Sequence, residues 1–366
     1  MCAIVNAPSL HSPFHFRNGV TAKNRVWLAP MTNLQSHEDG TLSDDELRWL
    51  LRRADGGFGV IETCAAHVSK DGQAWDGELG IYSDEMLPGL TRLASELHAR
   101  GTVNIVQIFH GGLRADPKLT GEPVWSASAV EDAGVMPRAA TEQDISTAIA
   151  SFRDAAVRAH KAGFQGVELH GAHGYLLGQF LSQIQNQRTD DWGGSFENRA
   201  RLLRETLRAV RGAVPASFLV GVRISPEDFG QARGLDLDES LQLASWLCDD
   251  GADFLHVSLW QTARNTKKRP AEHPIPLFRA AAPKEVPIVV AGYLWTRADA
   301  EAALALGADG VALGRSAIGN PSWPLDIQDP AWEPRRPPFT VAELIDRGLS
   351  EKFARYMGRW KGFVAE

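Results

Sequence analysis

Residues 141–177 read TEQDISTAIASFRDAAVRAHKAGFQGVELHGAHGYLL, one complete helix, turn, strand and loop. Thr141 with Asp144 has the form of a capping box, in which hydroxyl and carboxylate each accept from an early backbone N–H. From there to Ala162 apolar residues recur at helical spacing, which predicts an amphipathic helix. Gly163 supplies a turn, and Gly166–His170 is predicted as a short strand. Gly171–Tyr175 then carries two imidazoles and a phenol off the strand end, separated only by small residues.

The same alternation extends in both directions. Strands are predicted at Val26–Pro30, Gly59–Cys64, Thr102–Ile108, Gly166–His170, Phe218–Ile224, Phe254–Leu259, Pro287–Ala291 and Gly310–Gly314. Helices end in glycine turns at Gly163, Gly251 and Gly307, and Thr296 with Asp299 repeats the capping box. Strands that are continuous Val/Ile/Leu runs suit a parallel sheet covered on both faces. Eight such units predict an α/β fold closed into a (β/α)8 TIM barrel. An open doubly wound sheet would want a GxGxxG after its first strand, and there is none. Ser12–Arg25, with Asn18-Gly19, predicts an N-terminal hairpin capping the barrel floor. Pro321–Pro338 reads as a connector to a C-terminal helical extension near Val341–Tyr356. No repeat, low-complexity tract or linker marks a second unit, so residues 1–366 read as a single domain.

Composition agrees with a large packed core. Of 366 residues, 44% are hydrophobic and 23% charged, the ordinary balance of a globular chain. The 3 cysteines, Cys2, Cys64 and Cys248, form no CxxC pair, which argues against iron–sulfur centres, structural zinc and disulfide scaffolds. A formal charge of −7 gives no footprint for nucleic acid. The opening residues lack the pattern of a signal peptide, and no stretch has the apolar length of a membrane span. Together these features point to a cytoplasmic protein with neither nucleic-acid nor membrane partners.

In barrels of this kind the chemistry sits at the C-terminal strand ends. His170, His173 and Tyr175 leave the fourth strand together, either as a hydrogen-bonded structural pair with a neighbouring phenol or as a group facing a ligand. No His-x-His or HExxH is present, so no metal is expected. Ala291-Gly292 after the seventh strand and Gly314-Arg315 after the eighth occupy positions where barrels commonly bind phosphate. Arg223 lies inside an apolar strand, where it is costly unless paired or touching a ligand, and Gln107 offers a neutral donor nearby. No strand ends in lysine, which removes Schiff-base aldolases. A phosphate anchor, donors along a planar ligand and a His/His/Tyr group suit flavin mononucleotide.

These residues closely resemble the Old Yellow Enzyme family of FMN-dependent oxidoreductases. The likeness runs from Asn24-Arg25 and Ala29-Pro30-Met31-Thr32 through Gly80–Glu85, Gln107 and His110-Gly111-Gly112. It continues through Glu168–Leu177, Arg188-Thr189-Asp190 and Gly193–Arg199, to Arg223 and Gly314-Arg315. The resemblance implies a tightly held, non-covalent FMN, reduced by NADPH or NADH, and reduction of an activated alkene such as an α,β-unsaturated carbonyl. It assigns His170 and His173 to the substrate's carbonyl oxygen and Tyr175 to protonation of the α-carbon. It places Ala29, Pro30, Met31 and Thr63 along the flavin ring and Thr32 near flavin O4. Gln107 falls on the pyrimidine edge, Arg223 on the N1/O2 side, and Ala291, Gly292, Gly314 and Arg315 on the phosphate.

The chain departs from the family pattern at Thr32, where some close relatives carry cysteine, and at Leu113 and Gln183. Trp260 follows the sixth strand where small residues are frequent, and either narrows the entrance or stacks on substrate, or packs against the lid. Two other functions share the scaffold: a dehydrogenase or demethylase of another small substrate, and a non-catalytic FMN-binding redox sensor. Arg355–Phe363, rich in arginine and aromatic residues, is a candidate contact in a homo-oligomer.

Overall fold

A computed structural model describes residues 8–365; Cys2 lies outside them. Eight parallel strands occupy Val26–Leu28, Val60–Glu62, Val103–Phe109, Gly166–His170, Leu219–Ile224, Phe254–Ser258, Ile288–Ala291 and Gly310–Leu313. Each pairs with its successor, and Val311 of the eighth strand stands opposite Val26 of the first. The sheet is therefore a closed (β/α)8 barrel, with all eight expected strands in order and several shorter than the runs read from sequence.

Local chemistry sets the element ends. Thr141 and Thr296 form capping boxes with Asp144 and Asp299 at the helices Glu142–Lys161 and Arg297–Ala305. Gly163, Gly251 and Gly307 turn the chain into the next strand at φ of 92°, 103° and 108°, a conformation only glycine adopts without steric cost.

The N-terminal hairpin forms as expected, Phe14–His15 antiparallel to Thr21–Ala22. It plugs the floor of the barrel: the Phe14 and Phe16 rings lie 5.3 and 5.6 Å from Trp27, which meets Phe254 at 5.2 Å. Gly221 on the fifth strand has no room for a side chain, because a Cβ there would come within 2.0 Å of the Phe254 ring. These residues form an inner core, separate from the larger one between strands and helices.

The C-terminal extension corrects the sequence expectation. One helix was predicted near Val341–Tyr356, but two form, Val341–Asp346 and Glu351–Tyr356. Gly348 at φ 91° breaks the first, and the Ser350 hydroxyl caps the second by accepting from Phe353 N. Arg53 locks this extension to the barrel, donating to the carbonyls of Ala317, Ile318 and Arg347 from full burial. Among the described residues no helix is long and apolar enough to cross a membrane.

Candidate active site

At the C-terminal ends of the strands lies a cavity of about 370 Å³, within the ~300–1,000 Å³ of small-molecule sites. Ala29, Pro30 and Met31 line it after the first strand, His173 after the fourth and Arg223 on the fifth. Trp260, Ala291, Gly292, Gly314 and Arg315 complete the predicted set on its wall. Loops from six strands thus bring together residues spread over nearly 300 positions of sequence.

Thr32, Thr63, Gln107, His170 and Tyr175 are not on that wall. Thr32 is half-buried just beyond Met31. Thr63 is fully buried, and its hydroxyl donates to the Cys64 carbonyl at 2.7 Å. Gln107 joins the interior network described below. His170 and Tyr175 stand behind His173: the His170 ring is 4.9 Å from that of His173 and 5.0 Å from that of Tyr175.

The His/Tyr group is held by backbone geometry and aromatic packing. His173 and Gly174 both have positive φ, 61° and 73°, so the chain turns sharply and returns the phenol of Tyr175 to the strand end. Gln179, fully buried, fixes this turn by donating to the carbonyls of Gly174 and Gly111. Arg114 donates to the Gly174 carbonyl as well, at 2.8 Å. Phe109 packs edge-on against Tyr175 at 5.0 Å and stacks on Trp75 at 5.2 Å. Burial lowers the pKa of both histidines well below the ordinary value, and the nearby positive charge of Arg223 lowers each further. Both imidazoles are therefore neutral at pH 7. Burial, and then the charge of Glu78, raises the pKa of Tyr175, which stays protonated.

Beneath the cavity a polar network crosses the barrel interior. Glu168 accepts from Gln107 Nε2 at 2.7 Å and lies 2.8 Å from His256 Nδ1. Glu62 is 3.8 Å from the same nitrogen. Glu62, Glu168 and His256 come from the second, fourth and sixth strands, the alternation that builds one interior layer, and Gln107 joins them from the third. Burial alone would neutralise His256, but Glu168 outweighs it and raises its pKa; burial likewise opposes the Glu168 carboxylate, which His256, Arg223 and Gln107 hold charged. Burial and the neighbouring Glu168 push Glu62 up to about 7. Glu62, Glu168 and His256 place donor atoms within 4.8 Å of one another, a grouping that motif spacing could not reveal. Arg223 and His256 supply the positive charge that faces these carboxylates.

Two buried polar atoms bear on what the cavity holds. Arg223 Nε has no hydrogen-bond partner among the described residues, nor has the Ser316 hydroxyl beside Arg315. Unpaired buried donors are costly, so each fits a ligand acceptor. Arg315 makes no ion pair among the described residues and lies 5.5 Å from the Tyr293 ring. With the apolar segment Ala29-Pro30-Met31 on the same cavity wall, these residues fit FMN.

Eight residues on the wall lie outside the predicted set, among them Ser258, Tyr293 and Trp360. Ser258 ends the sixth strand and touches both His173 and Arg223. Tyr293, at φ 54°, follows Gly292. Trp360 comes from the segment expected to reach another subunit, and it lines this chain's own cavity. Ser258 stands at a strand end and could have been found by position; the other two depend on tertiary packing.

Comparison with known proteins gives a consistent picture. Residues 9–331 match the NADH:flavin oxidoreductase / NADH oxidase family. The probable NADH-dependent flavin oxidoreductase YqiG of Bacillus subtilis is 38% identical, over 87% of this chain and 88% of that protein. The NADH:fumarate oxidoreductase of Klebsiella pneumoniae is 37% identical over 94% of this chain, which spans only 40% of that protein. Among solved structures, an old yellow enzyme homologue from Zymomonas mobilis has a TM-score of 0.81 at 27% identity, covering 95% of this chain and 99% of the other.

Proposed function

Since this chain belongs to the NADH:flavin oxidoreductase / NADH oxidase family, we propose that it is an FMN-dependent ene-reductase. It takes hydride from NADH or NADPH and reduces the C=C bond of small alkenes activated by a carbonyl or nitro group. Residues 1–366 then form one FMN-binding barrel domain, acting in the cytoplasm. The observation that carries this reading is the group His170, His173 and Tyr175, two neutral imidazoles and a protonated phenol gathered beside the cavity.

Ala29, Pro30, Met31, Thr32 and Thr63 would lie along the flavin ring, with Gln107 and Arg223 at its polar edge. Ala291, Gly292, Gly314 and Arg315 would hold the phosphate, and Trp260 would border the substrate. FMN, when bound, supplies the two-electron chemistry between nicotinamide and alkene.

The rest falls to the protein's own residues. His170 accepts at Nδ1 from Ala172 N–H at 3.4 Å, which leaves its proton on Nε2 as a donor. Ser258 Oγ accepts from Arg223 Nη2 and lies 2.8 Å from His173 Nε2; with the Ser258 proton given to that nitrogen, His173 carries its own proton on Nδ1. These two N–H groups hold the substrate's oxygen and stabilise the negative charge that grows there. Tyr175 gives its proton to the carbon next to the activating group.

The test is an anaerobic reaction of the FMN-loaded protein with NADH or NADPH and 2-cyclohexenone, with product analysis. One cyclohexanone per nicotinamide oxidised is expected. Nicotinamide oxidation without cyclohexanone, across a panel of enones, would refute alkene reduction.

A further inference from the structure

Beside the central cavity lies a second, of about 390 Å³, between segments 226–233 and 259–267. The two share Leu259 and Trp260 as a common wall. We propose that this side cavity seats the pyrophosphate and adenosine of NADH or NADPH; the inference rests on the function proposed above.

Arg233 and Arg264 line the cavity, and among the described residues neither guanidinium has a hydrogen-bond or ion-pair partner. Their neighbours are tied: Lys268 pairs with Asp236, Arg269 with Asp238, and Lys267 Nζ donates to the Asp228 carbonyl. The two carboxylates of the cavity are also occupied. Glu227 accepts from the backbone N–H of Lys267 and Lys268, and Asp228 from those of Gly234 and Leu235. With Arg233, Arg264 and Lys267 against Glu227 and Asp228, the cavity lining keeps a net positive charge on a chain of net charge −7, and its two guanidiniums are free to meet an anion. Guanidinium forks suit phosphate oxygens.

The cavity also presents an aromatic surface. Trp260 is 58% exposed, unusual for so large an apolar side chain, and its ring lies 5.5 Å from that of Phe229. Phe229 lies in turn 5.9 Å from His173. A line of rings thus leads from the candidate hydride-transfer site to an open indole face beside two arginines. A purine stacks on such a face, and a dinucleotide with its nicotinamide in the central cavity extends in this direction.

The test is the R233A/R264A double variant, whose substitutions are on the surface and leave the core intact. Bleaching of the FMN-loaded protein is followed by rapid mixing against NADH concentration and against 1-benzyl-1,4-dihydronicotinamide, which lacks phosphates and adenosine. The half-saturating NADH concentration should rise at least tenfold, with an unchanged limiting rate and unchanged bleaching by the benzyl compound. ADP-ribose titrated calorimetrically should bind the wild type and not the variant. Unchanged NADH saturation in the variant overturns the inference alone, as does equal loss with both donors. A wild type that neither NADH nor NADPH bleaches overturns the inference together with the function beneath it.

Discussion

His173 Nε2 lies 2.8 Å from the Ser258 hydroxyl, which also accepts from Arg223 Nη2 at 3.3 Å. One hydroxyl thereby links the residue assigned to the substrate with the residue assigned to the flavin, and a proton donated from it to Nε2 sets the tautomer of the former. Ser258→Ala should release this selection. Nitrogen-15 NMR should find His173 in the Nδ1–H form in the wild type and mixed in the variant, with KM for 2-cyclohexenone raised about tenfold, the effect of losing about one hydrogen bond. An unchanged tautomer would remove Ser258 from the account.

Tyr175 is the only phenol beside the histidine pair among the described residues, and its proton is firmly held. Tyr175→Phe should slow the enone half-reaction by roughly 10²–10⁴-fold, the usual worth of a positioned acid. Bleaching by nicotinamide should continue at nearly the wild-type rate. Stopped-flow measurement of the two half-reactions checks this, and equal loss in both contradicts the role.

Much of this architecture was legible because its signals are local. The helix Glu142–Lys161, its capping box and the glycine turn at Gly163 all lie within one short segment, and the same holds around each strand. What was not legible depends on distant parts of the chain meeting. Glu62, Glu168 and His256 converge only when the second, fourth and sixth strands stand in one barrel layer. The split at Gly348 was hidden because apolar residues continue at helical spacing past it. Trp360 carries no signal of its own; it reaches the cavity because Arg53 and the helices before it fix the extension in place.

Glu62 makes stability depend on pH. Its folded pKa, about 7, is above the ordinary 4.5, so the folded state binds more protons between those values. Stability from this group is full below pH 4.5 and falls as pH rises toward 7. Glu46 and Glu78, also raised to about 7, mainly by burial, act in the same sense. Glu62→Gln, which mimics the protonated form, should therefore raise Tm relative to the wild type at pH 8 and leave it nearly unchanged at pH 5. Thermal melts at the two pH values check this; a loss of Tm at pH 8 would show that Glu62 is charged in the folded protein.

Arg53 is fully buried, with its guanidinium carbon 3.5 Å from the Trp49 ring centre and four carbonyls as acceptors. Removing it leaves those carbonyls without their donor. Arg53→Met should cost about 3 kcal/mol, on the order of 4 °C in Tm for a chain of this size, measured by calorimetry. A variant as stable as the wild type would show that the C-terminal extension needs no such lock.

The central claim is that this barrel cycles a flavin between nicotinamide and an activated alkene. The most direct measurement is an absorbance spectrum of the purified protein, followed without oxygen by NADPH or NADH and then by 2-cyclohexenone. The account predicts a yellow protein that bleaches with the nicotinamide and regains its colour with the enone. A colourless protein that cannot be reconstituted with FMN, or one that bleaches and stays bleached across a panel of enones, would contradict it.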